Sequence, residues 1–382
     1  MTHILMLLSN SYRPDPRVKR EAEALIAAGY SVTVICWDRQ AEFPQHQWDG
    51  DIEILRIQNI LSAYGSGWRQ MFYTPRFWRA ALRLAKELRP AAVHCHDLDT
   101  LYAGWQIKKR LRIPLVYDAH EDYPALMSLY LPSPLTWLLS IFEKFLIRKA
   151  DATITASSVL ARRYQAQGIA PVTTLGNYQS LEAFNRLQPG DLATARAHLG
   201  LTPQQFVVAY IGGFTRNRLL LPLIEAAASL PQVTVLLWGD GHQKAAVETA
   251  IMGKTNVHYF GWLPESEVPL YTSMADVIYY CIRPDYPGAV YNAPNTLSNA
   301  MAAGRPILAN RVGDLGEIVA KTGCGILLDE VSSDTIVAAV QQLENPVRRL
   351  ALGQAGWQAA QKKYNATTIS QELVAIYHNL VR

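Results

Sequence analysis

The chemistry-bearing residues of this chain gather in a few short stretches. His94-Cys95-His96-Asp97-Leu98-Asp99 places two imidazoles and two carboxylates within six residues, and Asp118-Ala119-His120-Glu121-Asp122 sets a third imidazole among acids. A histidine between acids can donate to a sugar hydroxyl or shuttle protons; a hydrogen-bonded loop histidine is the plainer alternative. Asp97-x-Asp99 has the form of a motif that holds a divalent ion under a nucleotide diphosphate. Strand periodicity, however, points His94 and His96 to one side, while Asp97 and Asp99 fall where a helix begins, so one of them reads as an N-cap and no metal site is expected. Near the N-terminus, Asp15-Pro16-Arg17 follows an apolar run, and Pro16 is placed to open a helix. A substrate could meet that helix start, or the segment is a plain connecting loop.

The second half carries a different set. Tyr210-Ile211-Gly212-Gly213-Phe214-Thr215-Arg216-Asn217-Arg218 combines paired glycines, which allow close backbone approach, with two arginines suited to a diphosphate. Trp238-Gly239-Asp240-Gly241 and Phe260-Gly261-Trp262-Leu263 are tight turns whose backbone could read a base. The stretch from Tyr291 to Pro306 runs from turn residues into a short small-residue helix closed by Gly304. With Asn295 or Thr296 as cap, that helix start would offer free N–H groups and partial positive charge to a phosphate.

These residues follow short apolar runs that read as strands. In the first half the runs are His3–Leu8, Ser31–Cys36, Ile52–Ile57, Ala92–His96, Pro114–Asp118, Ala152–Thr155 and Val172–Leu175, separated by helical patterns such as Pro16–Ala28, Arg76–Leu88 and Leu98–Leu111. A second alternation begins at Phe206 and ends in helical patterns after residue 346. Strands apolar on both faces with helices between them mean parallel sheets covered on both sides. The expected architecture is therefore α/β, with two doubly wound Rossmann-like domains facing a central cleft and ligands at the carboxyl ends of the strands. The expected boundaries are a first domain at 1–180, a linker at 181–202 around Pro189-Gly190, a second domain at 203–360, and a C-terminal helix at 361–382 packing back on the first domain.

Composition agrees. At 382 residues, 49% hydrophobic and 18% charged, the chain can bury two cores. A net charge of +4 argues against a nucleic-acid binder, although residues 1–175 carry 21 basic and 16 acidic groups, leaving 15 and 16 for the rest. Four scattered cysteines (Cys36, Cys95, Cys281, Cys324) exclude a disulfide scaffold or zinc module and fit a reducing compartment. No targeting segment or membrane span is read, so the expected location is cytoplasmic, with peripheral contact on the cytoplasmic face of a membrane. Residues 61–90 interleave Arg69, Arg76, Arg79, Arg83, Lys86 and Arg89 with Trp68, Met71, Phe72, Tyr73, Phe77 and Trp78, a pattern suited to anionic lipid. Leu135–Ala150, with Trp137, Leu138, Phe142 and Phe145 beside Lys144, Arg148 and Lys149, could do the same, although a core stripe with solvated charges between is the favoured reading.

Taken together, the motifs resemble glycosyltransferase family 4, of GT-B architecture. The resemblance rests on Asp15-Pro16-Arg17-Val18 with Arg20-Glu21-Ala22-Glu23, on Val93-His94-Cys95-His96-Asp97, on Val116-Tyr117-Asp118-Ala119-His120-Glu121, on Ala300-Met301-Ala302-Ala303-Gly304-Arg305-Pro306-Ile307, and on Gly313-Asp314-Leu315-Gly316-Glu317-Ile318-Val319. It covers nearly the whole chain. It implies a nucleotide-sugar donor and a glycan or polyprenyl-linked acceptor, with no nucleic acid and no cofactor or metal. His120 falls on the histidine that contacts the transferred sugar, and Arg218 on the diphosphate-binding cation. The usual partner arginine is Gly213 here, with Arg216 able to compensate. Gly212, Gly239, Phe260, Trp262, Leu263 and the Asn295-Thr296-Leu297-Ser298 loop fall on the donor side; Asp15, Arg17, His96 and Asp97 fall on the acceptor side. The family's glutamate pair, eight positions apart, is replaced by Tyr291 and Asn299; aligning from Asp276 reaches Asp285 instead.

The reading is a metal-independent retaining glycosyltransferase of bacterial surface polysaccharide synthesis. A non-catalytic GT-B partner subunit or sugar-nucleotide binder is the alternative, and a sugar-nucleotide epimerase a more distant one.

Overall fold

A computed structural model describes residues 1–12, 15–62 and 70–381. It divides into two units, Met1–Gly176 with Ile369–Arg382, and Asn177–Thr368.

The first unit is built on eight strands: β1 (His3–Leu8), β2 (Ser31–Trp37), β3 (His46–Asp49), β4 (Ile52–Ile57), β5 (Ala92–His96), β6 (Leu115–Ala119), β7 (Ala152–Thr155) and β8 (Val172–Thr174). They lie in the order β3-β4-β2-β1-β5-β6-β7-β8. All neighbours run parallel except β3, which turns back antiparallel on β4. The apolar runs form the centre because helices cover both faces; every residue of β5 and β6 is buried. Strand order reverses between β1 and β5, so the loops after these two strands open onto one crevice, where doubly wound sheets bind ligands. The C-terminal helix Ala366–Leu380 packs Leu373 and Tyr377 into this unit's core beside Ile4, Met6, Val18 and Val34.

The second unit holds β9 (Phe206–Ile211), β10 (Val233–Trp238), β11 (Val257–Tyr259), β12 (Val277–Tyr280), β13 (Ile307–Asn310) and β14 (Gly325–Leu328). Their order is β11-β10-β9-β12-β13-β14, all parallel. The reversal here falls between β9 and β12, which brings together the loops that start at Gly212 and Cys281.

Two expectations are corrected. Residues 181–202 are not a linker. They form the helices Glu182–Asn185 and Pro189–His198 of the second unit, with Ala195 in its core and Arg196 bonded to the Met274 carbonyl at 2.7 Å. Pro189 opens the second helix at its first position, and Gln188 with Asp191 forms a capping box, so the Pro-Gly pair starts structure rather than interrupting it. The core stripe expected at Leu135–Ala150 is corrected as well, whereas in the basic stretch Phe77 and Trp78 face the fold while Phe72, Arg76, Arg79, Arg83 and Lys86 stay exposed. Helix Gln70–Leu88 turns Phe77 inward to stack on Trp37 at 5.3 Å, and the Trp78 indole donates to the Asp99 carbonyl; residues 63–69 of the basic stretch lie outside the described residues. Helix Ser133–Ile147 buries Glu143, Leu146 and Ile147 and leaves Trp137, Leu138 and Phe145 exposed, with Phe142 half-buried.

Candidate active site

In the first unit the site is built around Asp118, inside β6. Both its oxygens accept from Arg17, Nε to Oδ2 and Nη2 to Oδ1, each at 2.7 Å. Arg17 stands in the first turn of helix Pro16–Ala27 and also donates to the Leu175 carbonyl at 2.7 Å. Its Nε lies 3.2 Å from Glu21, one turn along that helix. Register pairs His96 of β5 with Asp118. The next loop brings His120 over them, its Nε2 3.1 Å from Asp118 Oδ2 and 3.1 Å from His96 Nδ1. Behind His96, the His94 ring stacks at 4.4 Å, and its Nδ1 meets the Tyr377 hydroxyl at 2.9 Å.

Asp97 completes the surround. It occupies the expected N-cap position of helix Leu98–Leu111, yet its side chain makes no cap bond. The carboxylate instead accepts from the His120 backbone N–H at 3.2 Å and lies 3.7 Å from His120 Nδ1. To do so Asp97 adopts φ +61° and ψ 163°, a region of the kind that persists where surrounding structure enforces it, often at functional sites.

Charge follows from these contacts. Burial disfavours the His120 imidazolium, but Asp97 and Asp118 outweigh it and raise its pKa to about 10. Burial likewise opposes the Asp118 carboxylate, and Arg17 with His120 holds it far below the usual range all the same. His94 is driven well down by burial and by His96, so it is neutral. Burial and the neighbouring Asp118 raise Glu21 to about 8. At neutral pH His120 is a cation and a hydrogen-bond donor, not a base.

Of the residues assigned to the acceptor side, Asp15 is the cap of helix Pro16–Ala27, accepting from the Arg17 and Val18 N–H groups. Arg17 and His96 are interior, with His96 fully buried. Both support His120 from beneath rather than forming a surface for an acceptor, because the buried Asp118 charge draws them inward. The His120 side chain keeps 18% exposure. Glu21, His94, His96 and Asp118 place potential ligand atoms within 4.8 Å of one another. They do not suit a divalent ion: Asp118 spends both oxygens on Arg17, so the ion would face a fixed guanidinium and a protonated His120. Sequence reasoning missed Glu21 and Tyr377. The i,i+4 spacing of Arg17 and Glu21 was a usable signal; the contact of Tyr377, 283 residues from His94, had none.

In the second unit, Gly212 and Gly213 follow β9, and the Tyr210 hydroxyl donates back to the Gly213 carbonyl at 2.8 Å. Arg218 lies on the Tyr280 ring at 4.7 Å and bonds Asn217 Oδ1 at 3.0 Å, while its Nε is buried with no hydrogen-bond partner among the described residues. Arg216 is exposed. Helix Asn295–Ala302 starts beside them. Its cap position is Pro294, with no side-chain cap, so neither Asn295 nor Thr296 caps it. Thr296 instead donates to the Ile211 carbonyl at 3.2 Å, pinning the helix start to the end of β9. The N–H groups of its first turn, Asn295 to Leu297, therefore have neither an intrahelical partner nor a side-chain cap, an arrangement suited to an anion.

Other donor-side assignments divide. Leu263, Leu297 and Ser298 are buried; the Ser298 hydroxyl accepts from the Gln179 N–H at 2.8 Å, so its side chain is structural. Phe260 is exposed and stacks on Trp238 at 5.1 Å, beside the exposed Trp262. Gly239 touches Gly212 so closely that a Cβ on it would lie 2.0 Å from the Gly212 carbonyl oxygen. Tyr291 and Asn299 are half-buried. Asp276 accepts from the Val207 N–H at the start of β12, away from the loops, whereas Asp285 is exposed after β12 and pairs with Arg283 at 2.7 Å.

Comparison with known proteins follows this geometry. Residues 14–177 match the family model described as a glycosyl transferase 4-like domain, and residues 205–345 match that of glycosyl transferases group 1. The chain is 28% identical over 288 residues to a D-inositol 3-phosphate glycosyltransferase of Segniliparus rotundus, covering 70% of this chain and 62% of that protein. It is 28% identical over 294 residues to the protein of that name in Rhodococcus jostii, covering 68% and 60%. The matches thus span less than two thirds of these relatives' length. Among solved structures, sucrose-phosphate synthase from Thermosynechococcus elongatus superposes with a TM-score of 0.81 at 20% identity, over 100% of this chain and 99% of that one. HepE of Anabaena, solved in complex with UDP-glucose, gives 0.76 at 17% identity over 100% of both. Such low identities speak to the fold, which is GT-B. With one model matching in each unit, in the order the motifs required, the chain belongs to the family 4 type of GT-B glycosyltransferases.

Proposed function

We propose that the protein transfers a sugar from a nucleotide-diphosphate donor to a hydroxyl of a glycan or lipid-linked acceptor, with retention at the anomeric carbon. The observation that carries the donor side is the cluster of Arg218, the Gly212-Gly213 turn and the uncapped start of helix Asn295–Ala302. A cation and free backbone N–H groups together stabilise the charge that develops on a leaving diphosphate. The exposed Phe260, backed by Trp238, is the platform proposed for the base. His120, as a cation, donates to the transferred sugar rather than removing a proton; the leaving diphosphate oxygen takes the acceptor's proton as the new bond forms on the same face. Charge stabilisation from Arg218 and the helix leaves no step that needs a metal.

Bacterial surface polysaccharide is the proposed setting. The names of the curated relatives favour a second acceptor reading, a phosphorylated polyol. The first test is thermal stabilisation by UDP-, GDP- and dTDP-sugars with and without EDTA, followed by diphosphate release with each acceptor class. A shift with one base that survives EDTA, followed by release, supports the proposal. No shift with any donor turns Tyr291 and Asn299 into a loss of function and favours a non-catalytic subunit; an altered sugar nucleotide without acceptor indicates an epimerase.

A further inference from the structure

Helix Ser133–Ile147 is amphipathic with its apolar side outward. Trp137, Leu138, Ile141 and Phe145 are 62%, 53%, 48% and 45% exposed, with Leu135 and Tyr130 exposed beside them. The opposite side packs on the fold through Glu143, Leu146 and Ile147. Glu143, the one acid between residues 123 and 150, is turned inward and accepts from the Tyr164 hydroxyl at 3.1 Å. The outward side therefore presents no negative charge over that stretch. Solvent alone does not explain several large apolar side chains on one helix face.

The apolar face runs into a basic cavity. Phe145 meets Trp105 edge-on at 5.7 Å, and Lys149 lies over the Phe145 ring at 4.7 Å. Trp105 and Lys149 also line a cavity of about 800 Å³ with Lys108, Lys109, Arg112 and Arg148. The acid in that wall, Asp151, is taken up by Lys108 at 2.6 Å and by the Leu115 N–H at 2.8 Å. Four cationic side chains remain against no further acid in the lining.

We propose that this face docks on an anionic phospholipid bilayer: the helix lies in the interface with Trp137, Leu138, Ile141 and Phe145 among the acyl chains, and the Lys109–Arg112–Arg148–Lys149 cavity receives lipid phosphate. Charge complementarity chooses the occupant, since an apolar face ringed by cations and free of acids matches an anionic headgroup layer. No described helix is long and apolar enough to cross a membrane, so the contact is interfacial. The inference stands apart from the transfer reaction, because it uses no residue of the donor cluster or of the His120 surround.

The test is co-sedimentation of the full chain with phosphatidylcholine vesicles containing or lacking phosphatidylglycerol, without donor or acceptor. The native chain is expected to pellet with the anionic vesicles and to be released by salt. The variant Trp137→Gln/Leu138→Gln/Ile141→Gln, checked for an unchanged melting temperature, is expected to weaken partition at least about tenfold through lost apolar insertion, and Lys109→Glu/Arg148→Glu by a similar factor, at roughly 1 kcal/mol per basic contact. The proposal is overturned if native chain and variants pellet alike or the native chain stays in solution. It is equally overturned if inorganic phosphate stabilises the chain while vesicles do not bind, or if sedimentation velocity shows a dimer that the glutamine variant dissolves.

Discussion

Arg17 and Asp118, 101 residues apart in sequence, form a two-bond pair with both contacts at 2.7 Å, deep within the first unit. The pair lets β6 carry a buried carboxylate directly beneath His120. A bidentate guanidinium satisfies both oxygens at once, which a lysine ammonium cannot do. Removing one partner leaves the other charged and buried, and breaking such a pair costs about 3–5 kcal/mol. Arg17→Met is therefore expected to lose stability of that order in urea unfolding, and Arg17→Lys to recover only part of it. A loss under about 1 kcal/mol for Arg17→Met would mean that Asp118 takes a proton without consequence.

How far this was readable in advance differs by link. Strands such as Phe206–Ile211 were legible because a six-residue all-apolar run bounded by turn and helical patterns has few other fates. The strand His46–Asp49 was not: three of its four residues are exposed, it sits at the sheet edge, and its pairing with Ile52–Ile57 comes from the tight turn at Gly50. His120 and Arg218 were singled out by motif, but their surroundings were not legible, since strand register, not local pattern, sets Asp118 beside His96. For the helix Ser133–Ile147 the sequence left a core and an interfacial reading both open, because period alone finds an apolar stripe and cannot tell which way it faces.

Stability should fall as pH rises above neutrality. His120 titrates near 10 in the folded chain against an ordinary 6.5. Below 6.5 both states hold the proton; between 6.5 and about 10 the folded state holds more, so stability declines and the contribution is lost above 10. Glu21, raised from 4.5 to about 8, acts with the same sign in its own lower window. Urea unfolding at pH 6 and pH 9 should show the drop, and His120→Gln should flatten its upper part. A native chain equally stable at both values would contradict the assigned protonation.

Close backbone contact makes Gly239 a stricter position than Gly212, Gly213 or Gly241 in the adjoining turns. A Cβ there would lie 2.0 Å from the Gly212 oxygen and 2.7 Å from the Phe214 ring, so Ala forces the turn after β10 off the turn after β9. Gly239→Ala should lose about 1–3 kcal/mol and weaken donor binding as Gly212 moves. Gly253→Ala is the control: its φ is +76° but nothing lies within 4 Å, so only the left-handed backbone cost of about 1 kcal/mol applies. Equal losses at the two positions would show that the contact is relieved cheaply.

Arg218 separates donor binding from fold. Its guanidinium rests on Tyr280, yet Nε has no hydrogen-bond partner among the described residues, as expected of a group that waits for an anion. A charge-assisted hydrogen bond is worth about 1.5–3 kcal/mol, so Arg218→Ala should raise the dissociation constant of the preferred nucleotide sugar by roughly 10- to 150-fold in calorimetry. Arg218→Lys should keep charge but lose the planar contact with Tyr280, and so fall between. Arg216 is exposed, and Arg216→Ala should cost less than Arg218→Ala. Because the Tyr280 contact also contributes to stability, the melting temperature of each variant must be read beside its affinity. Native affinity in a folded Arg218→Ala protein would move the diphosphate to Arg216 or to the start of helix Asn295–Ala302 alone.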